Sequence, residues 1–173
     1  MNQNNNYAFI DSNNLHLAIK DLGWSLDYDH FRKYLTEKYQ VTKAYMFIGF
    51  VEKHKDLYKS LQEKGYILIF KPTLQRKVEG KTIVKGNIDA ELVLHTMIQY
   101  KNYKKAIIVT GDGDFHCLVE YLAEQKKLLH IMAPNGYYSS LLRKFNNYVV
   151  RVDFLRNSLQ LIKTKRRPKK TEI

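Results

Sequence analysis

Short apolar runs and longer amphipathic stretches follow one another along this chain in regular turn. Tyr7 to Asp11 is a short apolar run that ends in an acid, and its length fits a strand. Ser12 to Asp21 has helical spacing and closes at Gly23. Asp27 or Asp29 caps a second helix that runs to about Tyr39, and Val41 to Phe50 alternates as a second strand. A charged helix over Glu52 to Lys64 stops at Gly65, and Tyr66 to Phe70 makes a third strand. Further on, Asn87 to Lys101 is helical, with Leu92, Val93 and Ile98 on its apolar side. Lys105 to Thr110 is a fourth strand, and the turn Gly111-Asp112-Gly113-Asp114 leads into a helix over Phe115 to Lys126. Leu128 to Ala133 is a fifth strand, Pro134-Asn135-Gly136 a turn, and two short helices near Tyr138 to Phe145 and Asp153 to Ile162 complete the pattern. Strands alternating with helices in this way predict an α/β fold, a mostly parallel sheet flanked by helices.

Two segments break the rhythm. Lys71 to Lys85 carries Pro72, Gly80 and a dense set of cations, and reads as a loop or hairpin arm with Glu79-Gly80 near its turn. From Lys163 onward the chain is too charged to pack, and Pro168 discourages helix. The expected organisation is one domain over 1–162 and a basic disordered tail over 163–173. No internal repeat is visible.

Charge turns this fold into a functional question. Lys and Arg number 29 against 17 Asp and Glu, a net charge of +12, which favours a polyanionic partner, nucleic acid above all. The alternative is a lysine-rich surface with no partner attached to it. A single cysteine, Cys117, excludes a disulfide framework and a thiolate zinc site, and its place on an apolar helix face predicts a buried, inert thiol. No apolar stretch approaches a membrane span, so no membrane partner is expected. The first residues lack the basic and apolar regions of a secretion signal, so a cytoplasmic location is expected. Nothing in the pattern indicates a homo-oligomer.

The acids fall at equivalent places in the rhythm. Asp11 ends the first strand, Asp89 opens the helix after the basic arm, and Asp112 and Asp114 follow the fourth strand. Ligands of open parallel sheets sit outside the carboxyl ends of the strands. Right-handed crossovers allow the first and fourth strands to lie side by side, which would bring Asp11, Asp112 and Asp114 together with Asp89 leaning in. Carboxylates gathered in a basic protein repel unless a cation sits between them, and oxygen-only ligands suit Mg²⁺ or Mn²⁺ held with water. Such an ion binds a phosphate oxygen, activates water and stabilises a leaving oxygen, the needs of phosphodiester hydrolysis. The arm cations Lys71, Arg76, Lys77, Lys81 and Lys85 would then grip the substrate strand.

Each residue has a plainer reading. Asp11 alone could cap a turn, Asp89 could stabilise a helix start, and Asp114 could be the N-cap of its helix, a role compatible with metal binding. Asn14, one turn into the helix after Asp11, could hydrogen-bond a carboxylate or a phosphate, or simply face solvent. Glu91, Glu120 and Glu124 are expected on solvated helix faces, and His16 and His116 as surface or partly buried residues. A dinucleotide-binding protein would need GxGxxG after its first strand, which is absent. A strand-end aspartyl phosphatase would need an acid where Asn13 stands.

The segments FIDSNNL (Phe9 to Leu15), KGNIDAELVLHTM (Lys85 to Met97) and TGDGDFHCLV (Thr110 to Val119) resemble, in this order, the NYN domain of the LabA-like group in the PIN-like nuclease superfamily. The resemblance runs from about Tyr7 to Val152. It implies a Rossmann-like sheet and Mg²⁺- or Mn²⁺-dependent cleavage of RNA. It also implies Asp11, Asp89, Asp112 and Asp114 as metal-binding acids, with Asn14 as a further site residue. Where many relatives carry another acid this chain has His95, which favours one metal, or a second ion bound only with substrate. The rival reading is an RNA-binding module with a weak or inactive nuclease site.

Overall fold

The computed structural model describes residues 5–71, 74–78, 81–85 and 89–162. Strand β1 (Asn6–Asp11) runs directly into helix α1 (Ser12–Asp21). Helix α2 (Tyr28–Tyr39) begins at Asp27, whose carboxylate accepts from the N–H groups of Asp29 and His30 at 2.9 and 3.2 Å. Strand β2 (Val41–Gly49), a 3₁₀ turn at Glu52–His54, helix α3 (Lys55–Glu63) and strand β3 (Tyr66–Lys71) follow. Gly23 and Gly65, behind α1 and α3, stand at φ of +77° and +86°, where a side chain is strained, so both mark helix ends. The basic arm contains strands β4 (Leu74–Val78) and β5 (Lys81–Lys85), paired antiparallel with Leu74 opposite Lys85 and Val78 opposite Lys81. The expected hairpin is therefore present, while its turn at Glu79-Gly80 and the tail from Lys163 lie outside the described residues. Then come α4 (Asp89–Ile98), β6 (Ala106–Val109), α5 (His116–Glu124), β7 (Leu128–Ala133), a long 3₁₀ segment (Ser140–Tyr148), β8 (Val149–Arg151) and α6 (Arg156–Leu159).

The main sheet has the order β3-β2-β1-β6-β7-β8, and each neighbouring pair is parallel. The chain builds outward from β1 to β3, returns to the centre, and builds outward again from β6 to β8. The strand order thus reverses between β1 and β6, and the crevice above their carboxyl ends is where open α/β sheets take ligands. β1 is central and sealed on both faces. Ala8 and Ile10 join Leu15, Ile19, Phe31, Leu35, Met46, Leu61 and Leu159 on the side of α1, α2, α3 and α6. Tyr7 and Phe9 join Phe47, Leu92, Phe115, Leu118, Val119 and Leu122 on the side of α4 and α5. Burying each such side chain contributes roughly 1.5–3 kcal/mol, so the strand that ends in Asp11 is among the firmest parts of the fold.

Two expectations are corrected. Val149–Arg151 is a sixth parallel strand, held by pairing Ile131 with Val149 and Ala133 with Arg151. Three half-buried residues are too few for alternation to signal, and pairing alone makes them a strand. Cys117 is exposed and not in the core: Leu118, Val119 and Leu122 form the inward face of α5. Among the described residues no helix is long and apolar enough to cross a membrane.

Candidate active site at the carboxyl edge of the sheet

Asp11 is the last residue of β1 and the N-cap of α1, and these two roles fix its carboxylate at the switch point. It is buried, only 5% exposed. One carboxylate oxygen accepts from the backbone N–H of Asn14 at 3.1 Å and the other from the hydroxyl of Thr110 at 3.3 Å. Thr110, just past β6, in turn accepts from the N–H of Asp112 at 3.1 Å. The side chain of Asn14 crosses the crevice, its Oδ1 accepting from the N–H of Gly111 at 2.8 Å. Its amide is thereby oriented, with the NH₂ group turned away from Gly111.

The turn after β6 is closely shaped. Asp112 caps a 3₁₀ turn at Gly113–Phe115 by accepting from the N–H of Asp114 at 3.0 Å, so the capping role falls to Asp112 and not to Asp114. A β carbon on Gly113 would overlap the hydroxyl of Ser139 and lie 2.9 Å from its Cβ, so this position has no room for a side chain. Ser139 also donates its N–H to the carbonyl of Gly111 at 2.9 Å, which ties the loop after β7 to the turn after β6. His116 holds the other side, with Nδ1 3.1 Å from the carbonyl of Gly113.

Electrostatics identify which acids meet. Burial pushes the Asp11 carboxyl up to about 6, and the nearby charges of Asp89 and Asp112 push in the same direction. The hydrogen bonds from Asn14 and Thr110 oppose that rise without cancelling it. Asp11, Asp89 and Asp112 therefore share one electrostatic neighbourhood. Asp114 is exposed at the rim and is not among the charges that act on Asp11.

Asp89 opens α4, and two residues on Glu91 faces elsewhere. Glu91 is not the solvated residue expected: its Oε2 is buried and lies 3.2 Å from the ammonium of Lys71, in ion-pair range although not aligned for a hydrogen bond. Lys71, at the end of β3, is thus engaged by the start of α4. The side chains of Arg76, Lys77, Lys81 and Lys85 lie outside the described ones, their backbone forming the hairpin beside the site in sequence. His16 is exposed, His95 packs its ring 5.7 Å from that of Phe47, and Glu120 pairs with Lys144 at 2.5 Å. Sequence reasoning did not find Thr110, Gly113 or Ser139, although the small residues around the GDGD turn were a signal of close packing.

The donor chemistry suits a hard divalent cation. All the groups are oxygens, the central carboxylate is buried, and its two like-charged neighbours make an added positive charge favourable. Among the described residues no three acidic, cysteine or histidine side chains form a ready-made metal clamp. Mg²⁺ needs no such cage, since one or two carboxylates with waters and substrate phosphates hold it.

A parallel sheet whose central strand ends in a buried aspartate, with acids from two other segments acting on it, defines an acidic strand-end site of Rossmann-like kind. The chain belongs to the NYN domain family, which matches residues 7–153. It is similar to Low amplitude and bright protein LabA of Synechococcus elongatus, with 22% identity over 159 residues, 88% of this chain and 86% of LabA. The crystal structure of a protein of unknown function from Vibrio parahaemolyticus has the same fold, with a TM-score of 0.76 and 20% identity over 93% of this chain and 99% of that one.

Proposed function

We propose that this chain is a Mg²⁺- or Mn²⁺-dependent ribonuclease that hydrolyses internal phosphodiester bonds of single-stranded or unpaired RNA. The observation that carries the reading is the carboxylate of Asp11, buried at the switch point and burdened by the charges of Asp89 and Asp112. Membership of the NYN family, within the PIN-like nucleases, supports the same reaction class.

Asp11, Asp89 and Asp112 would hold the ion, with Asp114 at the rim. The ion when bound supplies Lewis acidity toward a phosphate oxygen and an acidified water. Asn14 and Thr110 act as positioning residues: the first fixes the turn after β6 through Gly111, and the second orients the Asp11 carboxylate. Lys71, Arg76, Lys77, Lys81 and Lys85 line the chain that enters α4, and as cations they would hold the strand on either side of the reacting phosphate. Lys71 reaches substrate only by sharing its charge with Glu91.

A second reading, an RNA-binding module with a weak or inactive site, is favoured by the place of Asp114, exposed and not among the charges that act on Asp11. One experiment separates the two. Labelled RNA and DNA panels are incubated with Mn²⁺, Mg²⁺ or chelator, and product ends are sequenced. Metal-dependent internal cuts in unpaired RNA, lost in Asp11→Asn/Asp112→Asn, support the nuclease. Binding without cleavage in any metal supports the module, and cleavage that survives chelator defeats the proposal.

A further inference from the structure

We propose that the β8 edge of the sheet is a base-stacking subsite for single-stranded RNA, continuous with the acidic site. This rests on the ribonuclease reading and adds to it the place where the strand is gripped by its bases.

Register sets the geometry. Ile10 is opposite Val109, Ile108 opposite Ile131, and Ala133 opposite Arg151, so the carboxyl ends of β1, β6, β7 and β8 line one edge in that order. From Asp11 to Arg151 is three strand spacings, roughly 14 Å at the usual ~4.8 Å each. A short stretch of single-stranded RNA covers that span.

The loop after β7 joins the two ends of this path. The Cβ of Tyr138 lies 3.3 Å from where a β carbon on Gly111 would stand, inside the acidic site. The ring of Tyr138 then turns outward, its hydroxyl donating to Asn146 at 2.9 Å. There it lines a cavity of about 490 Å³ that runs along β8, with Arg151 and Phe154 toward the carboxyl edge and Tyr34, Lys38 and Tyr39 of α2 toward the amino edge. That volume lies in the range of small-molecule sites and accommodates a nucleobase with its sugar.

The composition of this face suits RNA. Phe154, which lines the cavity, is 75% exposed, and Tyr137, next to Tyr138 in the loop at its mouth, is 90% exposed, so neither ring serves the core. The guanidinium of Arg151 sits over Phe154, its central carbon 3.9 Å from the ring centre, and donates to Asp153 at 3.0 and 2.5 Å. A β carbon on Gly136 would come within 3.1 Å of that guanidinium, so glycine there lets the loop after β7 pack closely against Arg151. Lys38 sits 5.4 and 5.8 Å from the ring centres of Tyr34 and Tyr39. Both charged side chains lining the cavity are cations. Exposed rings beside cations are how proteins hold single strands without reading sequence, because every base has a π-face and every link a phosphate. A duplex keeps its bases stacked inside and cannot offer them.

The test measures binding of a short fluorescent oligouridylate to the full chain in chelator, so that cleavage plays no part. Replacing both Tyr137→Ala and Phe154→Ala should weaken binding about tenfold for each stacked base lost. The dependence of affinity on salt should keep its slope, because no phosphate contact is removed. Melting should be unchanged, since both rings are exposed, and Tyr137→Phe with Phe154→Trp should bind as the unaltered chain does. An abasic ribose-phosphate strand should bind the alanine variant and the unaltered chain equally. Unchanged affinity in the alanine variant, with RNA still cut in Mn²⁺, overturns the subsite and leaves the ribonuclease reading standing. No RNA binding and no cleavage by the unaltered chain overturns both. An altered sedimentation rate in the alanine variant, with RNA affinity unchanged, overturns the subsite by assigning the face to a second protein copy.

Discussion

The Oδ1 of Asn14 accepts a hydrogen bond from the backbone N–H of Gly111 at 2.8 Å, across 97 positions of chain. It fastens the first turn of α1 to the loop that carries Asp112. Asn14→Ala leaves that N–H without its partner and should cost about 1 kcal/mol, a fall in melting temperature of roughly 2–4 °C. RNA cleavage should fall much further than stability does. Asn14→Asp keeps the acceptor and should retain the melting temperature better than Asn14→Ala. Equal cleavage by Asn14→Ala and the unaltered chain would remove Asn14 from the site.

The raised carboxyl of Asp11 makes metal-free stability depend on pH. Its pKa is about 6 in the fold against an ordinary 3.8, so the folded chain binds the extra proton. The stability this contributes is fully present below about 3.8 and is lost as pH rises through about 6. Asp11→Asn should therefore raise the melting temperature of chelator-treated protein at pH 7, by up to about 3 kcal/mol of stability. The gain should vanish near pH 4. Parallel melting curves for the two proteins across pH 4 to 7 would show that Asp11 is not burdened in this way.

Gly113 is packed so closely against Ser139 that it has no room for a side chain. Gly113→Ala should destabilise the chain by about 1–3 kcal/mol, as overpacking does. Adding Ser139→Gly removes both colliding atoms, at a few tenths of a kcal/mol for the lost cap on Leu141. Denaturant unfolding of the single and double variants measures the recovery, and no recovery would place the strain elsewhere.

Asp89 and Glu91 should separate cleanly. Asp89→Asn should abolish metal-dependent cleavage while leaving the metal-free fold as stable or slightly more so, because it relieves Asp11. Glu91→Gln should instead lower stability by about 1 kcal/mol or less, since its ion pair with Lys71 is partly screened by water. Its cleavage rate at saturating RNA should change little. The reverse outcome, with Glu91→Gln inactive and Asp89→Asn active, would overturn the assignment.

The arm and the tail are proposed to add affinity and not chemistry. Arg76→Ala/Lys77→Ala should weaken RNA binding and reduce the salt slope by roughly one unit at most per lost contact. Deleting Lys165 to Ile173 should reduce affinity most at low salt and leave melting unchanged. A large drop in melting temperature would mean that the tail docks on the domain.

Much of this arrangement was legible in local pattern, and the remainder depends on distance along the chain. β1, β2, β3, β6 and β7 announce themselves because each is an apolar or alternating run of strand length, and Asp11 and Asp112 stand at or just past the ends of two of them. β8 was missed because its three residues owe their extension to β7. The exposure of Cys117 turns on which face of α5 meets the sheet, and a largely apolar helix leaves that open. The Lys71–Glu91 pair and the Asn14–Gly111 bond join segments that no local window contains. The β8 groove was invisible for the same reason, its rings coming from α2, the loop after β7 and the segment before α6.

The reversal of strand order between β1 and β6 also governs what happens while the chain is being made. When β3 has just been synthesised, β1 has its partner on one side only, and Ala106, the first residue of β6, is still 35 residues away. Until then a strand buried on both faces in the finished fold shows an open edge, the kind of surface on which unrelated nascent chains stick. The acidic site does not exist in that interval, because Asp112 arrives only with the strand that closes the gap. The three acids that share the site therefore come together only after the central gap of the sheet is closed, late in the making of the domain.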